Sequence, residues 1–456
     1  MMVPTFLATM VAIFAVVHNL WVIGNLWFAR RWIWRQRSRE HGEQPQTSVT
    51  IMLPMFDETA IAVRTINYFT KLDYPPTLIR LVVITTLREC SEGQTTSDLV
   101  SEHLESSCFC NVFHIVADGT DTFKADQLNQ AIGWLDKESP DWWTESSVIG
   151  VYDADSRPEI NSLRNLDSAV RDHPQHHAFQ QPAVYIAGFD ELPGGLIGAY
   201  LRSRPLYNLR FCLYREIPGF LRSTGLATTR SWLWKTLVSS PNHFLGHGEF
   251  IRLSTLRSVG GFPRPSADTS LGTVLSFLGY AIVPLSTFDL GETPANVRML
   301  LLQSANWYAG CALYGRDCKL ARDLSSGFAT RHIVMMTKRF VENMIWAIGP
   351  LLLIFAFLFA FVTSQSDIGA LCFIAFMLHG ISVGMIAQEI ERLCQSNKFA
   401  CAVHSPLSQQ FPVVLGMYPA MLVLNCFGPI LYYGWLVRSW FTKREVPRSK
   451  TTRIGV

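Results

Sequence analysis

Charged side chains are scarce in this chain. Asp, Glu, Lys and Arg make up 16% of its 456 residues and hydrophobic residues 49%. Soluble domains carry about 25% charge, so the shortage points to a membrane protein. An excess of one sign is missing too. A net charge of +3 sets up no field suited to nucleic acid, and no such partner is expected. The 10 cysteines lack zinc-ligand spacing, the closest pair being Cys108 and Cys110. They read as free thiols in a reducing compartment. Nor is there an internal repeat. The first apolar stretch has no basic lead-in and no small-residue cleavage site, so it is expected to stay as an anchor rather than be removed as a signal peptide.

Four stretches carry no Asp, Glu, Lys or Arg: Met1 to Ala29, Asn343 to Ser366, Ile368 to Gln388 and Phe399 to Val437. Each exceeds the ~20 apolar residues a helix needs to cross a bilayer. The expected order is a transmembrane anchor (1–29), a basic linker (30–47), a mixed α/β domain (48–330), a transmembrane bundle (340–437) and a basic tail (438–456). Arg30, Arg31, Arg35, Arg37 and Arg39 follow the anchor. The positive-inside rule therefore puts the α/β domain in the cytoplasm of a multi-pass protein of the inner (plasma) membrane. The tail, with Arg438, Lys443 and Arg444, also wants the cytoplasm. Three further spans would leave it outside, unless 399–437, interrupted by Pro412, Pro419 and Pro429, returns as a hairpin.

Between these segments, apolar runs alternate with helical patterns. Ser48–Pro54, Arg80–Thr86, Asn111–Val116 and Ser147–Tyr152 read as strands, and Ala183–Gly188 as a further one. Helices are expected over Thr59–Lys71 with Thr59 as N-cap, near Asp98–Ser106, over Lys124–Lys137, and opening at Pro158 and Glu159. Such alternation predicts a doubly wound sheet. Pro218–Val238 is amphipathic enough for a membrane surface, though equally an ordinary domain helix. Gly246–Arg252 and Val259–Phe262 are glycine-rich turns that would let a backbone approach a ligand. His176 and His177 read as solvated turn residues.

The fourth strand ends in Asp153-Ala-Asp155. Ligands of open α/β sheets bind at the carboxyl ends of strands, and two carboxylates there suit a hard divalent cation shared with a diphosphate. A strand-end turn rich in Asp is the plain alternative. Asp268 heads an apolar run, so it is either an N-cap or a functional acid.

Together these pieces resemble the membrane-integrated family 2 glycosyltransferases, which include cellulose, chitin and hyaluronan synthases. Pro54-Met-Phe-Asp57-Glu58 looks like the family's Pro-x-Tyr-Asn-Glu. Leu72-Asp-Tyr-Pro75 matches the turn closing its first helix, and Lys124-Ala-Asp-Gln-Leu-Asn129 its Lys-Ala-x-Ala-Leu-Asn. Asp153-Ala-Asp155 looks like Asp-x-Asp, and Val259-Gly-Gly261-Phe262 is similar to its glycine turn. Asp268-Thr-Ser-Leu-Gly272 resembles the Glu-Asp element, while Gln303-Ser-Ala-Asn-Trp307 stands where Gln-x-x-Arg-Trp is found.

The resemblance implies a GT-A fold, Rossmann-like with a doubly wound mixed sheet, plus transmembrane helices. It implies an inverting transfer of a sugar from a nucleotide diphosphate sugar, UDP-linked in many members, to a growing polysaccharide at the cytoplasmic face. A lipid acceptor taking a single sugar is the alternative, and an inactive membrane scaffold is a third reading. Asp268 would be the catalytic base. Mg²⁺ or Mn²⁺ would sit on Asp155 and Asp153. Pro54, Asp57, Glu58, Lys124, Asn129 and Asp153 would hold the donor, and Gly261, Gln303 and Trp307 the acceptor. The chain departs from the pattern at Asn306, where the family has a phosphate-clamping Arg; Arg298 or Arg316 would then have to supply the charge. Thr85 and Thr86 replace an acidic residue that contacts uracil.

Overall fold

The computed structural model describes residues 2–38, 44–89, 93–119, 123–138, 143–228, 231–238, 241–325, 330–396, 399 and 407–442. Its centre is a seven-stranded mixed sheet. The chain enters through helix α1 (Met2–Arg37) and forms strands β1 (Val49–Pro54), β2 (Ile79–Thr86), β3 (Val112–Ala117) and β4 (Val148–Val151). These four are mutually parallel in the order β3-β2-β1-β4, with Val49 beside both Ile79 and Val148. Their carboxyl ends therefore line up on one edge. Strands buried on both faces should be largely apolar; β4 carries no polar side chain, and in β1 Thr50 is the single polar residue.

Helices α2 (Ala62–Phe69), α3 (Thr96–Glu105) and α4 (Lys124–Glu138) connect these strands. Ile51, Leu53, Tyr152 and Phe250 fill the core on one face; Met52, Val82, Ile84 and Ile149 fill it on the other. A short strand β5 (Arg157–Pro158), helix α5 (Ser162–Asp172) and strands β6 (Ala178–Gln180) and β7 (Ala183–Ala187) come next.

Then the chain leaves the sheet for α6 (Gly195–Phe211), a π-turn at Cys212–Glu216, α7 (Ile217–Thr228) and α8 (Trp232–Val238). It returns as β8 (Glu249–Arg252), α9 (Leu253–Ser258), α10 (Ala267–Leu278), β9 (Ile282–Pro284) and β10 (Asp289–Glu292). β8 lies antiparallel between β4 and β6, and β9 closes the sheet beside β6. A small second sheet has the order β5-β10-β7.

The remaining helices are α11 (Val297–Ala312), α12 (Tyr314–Leu324), α13 (Thr330–Val362), α14 (Ser366–Gln395), α15 (Leu407–Asn425) and α16 (Phe427–Thr442). Among the described residues four helical segments are long and apolar enough to cross a membrane: Val3–Arg37, Thr330–Val362, Ser366–Gln395 and Pro412–Thr442.

Several local expectations are corrected. The helix after β4 does not open at Pro158. Arg157 and Pro158 pair with β10, and Glu159 is fully buried against the Arg37 guanidinium and the Phe288 N–H at 3.0 Å. Those long-range partners keep Arg157–Glu159 out of a helix, and α5 starts at Ser162 after a turn at Ile160 and Asn161. Thr59 is not a cap either; the Glu58 carbonyl takes the N–H groups of Ile61 and Ala62.

The 218–238 stretch divides in two. Phe220 sits in the domain core, whereas Leu233, Trp234 and Leu237 of α8 are exposed. His176 is buried rather than solvated.

The anchor helix continues past residue 29 into the expected linker. Arg30 Nε donates to Glu389 at 2.9 Å, and Trp34 Nε1 to the same carboxylate at 2.9 Å. Cys426 alone separates α15 from α16, too short for a helical hairpin. α15 packs on α6 and α16 on α11, so the two do not fold back on each other.

Candidate active site

The turn after β4 brings Asp153 and Asp155 to the carboxyl edge of the sheet, and a cleft of about 210 Å³ opens there. Asp268, Gln303 and Trp307 line the same cleft, with the Glu292–Pro294 turn. Four segments separated in sequence thus converge. Gln303, Asn306 and Trp307 reach it because positions i, i+3 and i+4 share one face of α11.

Asp268 lies in the first turn of α10 but is not its cap, which is Ser266. Its Oδ1 accepts from Ser266 Oγ at 2.9 Å and from the Thr269 N–H at 2.7 Å. Its Oδ2 faces Gly246, where φ is +93° and a Cβ would collide with the carboxylate. Lys124, at the start of α4, joins the two acidic groups. Its Nζ donates to Asp153 Oδ1 at 2.7 Å and to the Gly246 carbonyl at 2.6 Å. Burial works against the ammonium charge, but Asp153, Asp268 and Glu249 outweigh it and hold the Lys124 pKa above the ordinary value.

Tyr185 and His247 also line the cleft, with Asp289 and Glu249 close behind. His247 Nδ1 lies 2.6 Å from Asp289 Oδ2, and its Nε2 lies 2.8 Å from the Tyr185 hydroxyl. Burial opposes the imidazolium, yet the bond to Asp289 and the charges of Asp289, Asp153 and Asp155 raise its pKa to about 9. Glu249 is 2% exposed, and both its carboxylate oxygens are without a hydrogen-bond partner among the described residues. Burial, with Asp268 nearby, pushes it up to about 8. Tyr185 rests against Trp307 at 5.8 Å, and the Arg204 guanidinium lies 4.8 Å from the Trp307 ring.

Not every residue singled out in the sequence lines this cleft. Asn129 and Gly261 meet each other instead: Asn129 Nδ2 donates to the Phe262 carbonyl at 2.9 Å, and its Oδ1 accepts the Phe262 N–H at 2.8 Å. A Cβ on Gly261 would strike that amide. Pro54, Asp57 and Glu58 lie at the end of β1, on the same sheet edge, and the latter two meet the segment between β2 and α3. There the Asp57 N–H donates to Glu89 at 2.6 Å and the Glu58 N–H to Thr96 at 2.8 Å.

The cation expected from Arg298 or Arg316 is not in the cleft lining. Arg316 is held by Asp317 at 2.9 Å and Ser270 at 2.8 Å. Lys124 and His247 supply the positive charge nearby. Of these groups, Tyr185, His247, Asp289 and Glu249 were not anticipated as site residues. The glycines flanking His247 were the one available signal.

Among the described residues no group of three or more His, Cys, Asp or Glu could hold a metal by itself. Asp153 and Asp155 nevertheless fit a Mg²⁺ or Mn²⁺ ion of the kind bound by one or two carboxylates plus ligand phosphates and water. They are hard oxygen donors on one turn, and both line the cleft.

No family model matches this chain, and no curated protein does. Solved structures similar to it include a mannosyltransferase, PcManGT, from Pyrobaculum calidifontis in complex with GDP-Man and Mn²⁺. It is 14% identical over 93% of this chain and 99% of that one, with a TM-score of 0.49. TarS 1-349 of S. aureus in complex with UDP-GlcNAc is 13% identical over 88% of this chain and 93% of that one, with a TM-score of 0.37.

Proposed function

We propose that this protein is an inverting, metal-dependent glycosyltransferase of GT-A type. It would move a sugar from a nucleotide diphosphate sugar to an acceptor hydroxyl at the cytoplasmic face of the inner membrane. The observation that carries this reading is the meeting of Asp153, Asp155 and Asp268 in one cleft. Asp268 is the general base: Oδ1 is fixed by two donors, and Oδ2 is left to take the acceptor proton as the oxygen attacks the anomeric carbon. Attack opposite the leaving diphosphate inverts the configuration. A divalent cation on Asp153 and Asp155 would neutralise that diphosphate when bound. Lys124 orients Asp153 and adds positive charge beside it. Trp307 offers a flat apolar wall to a sugar ring, with Gln303 next to it.

The donor is a UDP- or GDP-linked sugar, and the acceptor is a growing polysaccharide or a membrane lipid. One observation favours the lipid, and with it a single transfer. The space behind Trp307 is filled by fully buried Arg204, whose Nη1 donates to Asn425 at 2.5 Å, and by Ser304, bonded to the same amide at 2.9 Å. A polymer leaving through the bundle would have to displace that knot. Product sizing separates the two, a ladder against one addition.

The test is release of nucleoside diphosphate by the purified full-length protein with Mg²⁺ or Mn²⁺, over a panel of activated sugars. Asp155→Ala and Asp268→Asn should each lower the rate at least a hundredfold with the fold intact. Equal rates in wild type and both variants would refute the mechanism.

A further inference from the structure

The His247 array has a chemical consequence beyond the three aspartates. Both ring nitrogens are committed, Nδ1 to Asp289 at 2.6 Å and Nε2 to the Tyr185 hydroxyl at 2.8 Å. The imidazole can therefore reach a ligand only through the phenol. The phenol ring is built into place. Trp307 packs 5.8 Å away. On the neighbouring strand Gly291 leaves the space the ring occupies, since a Cβ there would come within 2.9 Å of it. The Tyr185 backbone is tied by its carbonyl to Thr293 Oγ1 at 2.6 Å. Tyr185, His247 and Gly291 all line the cleft.

We propose that the Tyr185 hydroxyl is a ligand-binding hydrogen-bond donor, aimed by Asp289 and His247 at a hydroxyl oxygen of a sugar held in this cleft. This rests on the glycosyltransferase reading above.

The proton inventory shows why the array points outward. Asp289 is fully buried and accepts from Nδ1–H. With both nitrogens protonated, Nε2–H donates to the phenol oxygen, so the phenol hydrogen is left for a third partner. A neutral imidazole would reverse that bond and turn the phenol hydrogen inward. Asp289 on β10, Asp153 and Asp155 after β4, Glu249 on β8 and Glu216 in the π-turn face this region. Burial disfavours the imidazolium, but the bond to Asp289 and the charges of Asp289, Asp153 and Asp155 keep it up to about pH 9. Burial holds the Tyr185 pKa well above its ordinary value, so the phenol remains a donor. A neutral donor beside carboxylates suits a polyol, because a hydroxyl can accept from Tyr185 while donating to an acid.

The sugar could belong to the donor or to the acceptor, and two assay arms tell them apart. Full-length wild type, Asp155→Ala, Tyr185→Phe, Asp289→Asn and the Tyr185→Phe/Asp289→Asn double variant are assayed with Mn²⁺. UDP-glucose, UDP-GlcNAc and GDP-mannose serve as donors, first without added acceptor and then with octyl β-glucoside. Tyr185→Phe preserves the ring packing and should fold. It should lower kcat/KM about tenfold, in both arms if the donor sugar is read and only with octyl glucoside if the acceptor is. Asp289→Asn should move the same parameter, and the double variant should be no worse than Tyr185→Phe alone. The wild-type rate should fall as His247 loses its proton, and that fall should be absent in Tyr185→Phe.

Wild-type kcat/KM in Tyr185→Phe in both arms would overturn this assignment while the loss in Asp155→Ala kept the enzyme reading. Additive losses would also overturn it, assigning Asp289 a purely structural role. No nucleotide release by wild type from any of the three donors would remove both.

Discussion

Glu249 exposes how much of this site's chemistry is set by burial. Its two oxygens have no hydrogen-bond partner among the described residues, and its pKa is raised from 4.5 to about 8. A carboxyl that binds its proton more tightly when folded stabilises the fold fully only below pH 4.5. That contribution is lost as the pH climbs through 8. Glu249→Gln should therefore match the wild type in thermal unfolding at pH 4.5 and be more stable above pH 8, by roughly 2–4 kcal/mol. A constant difference at all pH values would show that the group does not titrate as described. At this scale the sequence was partly readable. Asp153, Asp155 and Asp268 stand in short motifs with chemical meaning, and all three line the cleft. Asp289 had no such signal, because its value comes from His247, 42 positions earlier in the turn before β8.

Elements were legible where burial dictates composition. The apolar runs of β1, β2 and β4 read as strands because both sheet faces are covered. Helix starts were less so, since Glu159 and Glu58 take partners no local pattern announces. Asn129 makes the same point for the site. It looked like a donor ligand on α4, yet its amide bridges both backbone groups of Phe262 and fixes the glycine turn before α10. Asn129→Ala should cost about 1–3 kcal/mol in chemical unfolding. An unaffected midpoint would mean that the turn holds itself. Between helices, the Arg30–Glu389 pair ties α1 to α14 with the carboxylate fully buried. Glu389→Gln leaves the part-buried Arg30 guanidinium without its counter-ion and should destabilise the detergent-solubilised protein by about 3 kcal/mol. A double variant with Arg30→Met should recover part of that loss.

For the whole molecule, low charge and four apolar segments foretold a membrane protein with an α/β body, and the described helices agree. The prolines of the last segment left a return open that the structure does not make, because α15 and α16 pack on different partners, α6 and α11. Sidedness has a direct probe. Cys108 and Cys110 are exposed on the α/β domain. A membrane-impermeant maleimide should label them in inside-out vesicles and not in intact cells; labelling of intact cells would put the domain outside.

The central claim is that distant acids assemble a cation-dependent seat for a nucleotide sugar. Calorimetric titration of UDP and of GDP into the full-length protein, with and without Mn²⁺, tests it most directly. At least one nucleotide should bind only when Mn²⁺ is present, and Asp155→Ala should abolish that binding. Binding that ignores both the metal and the substitution would contradict the account.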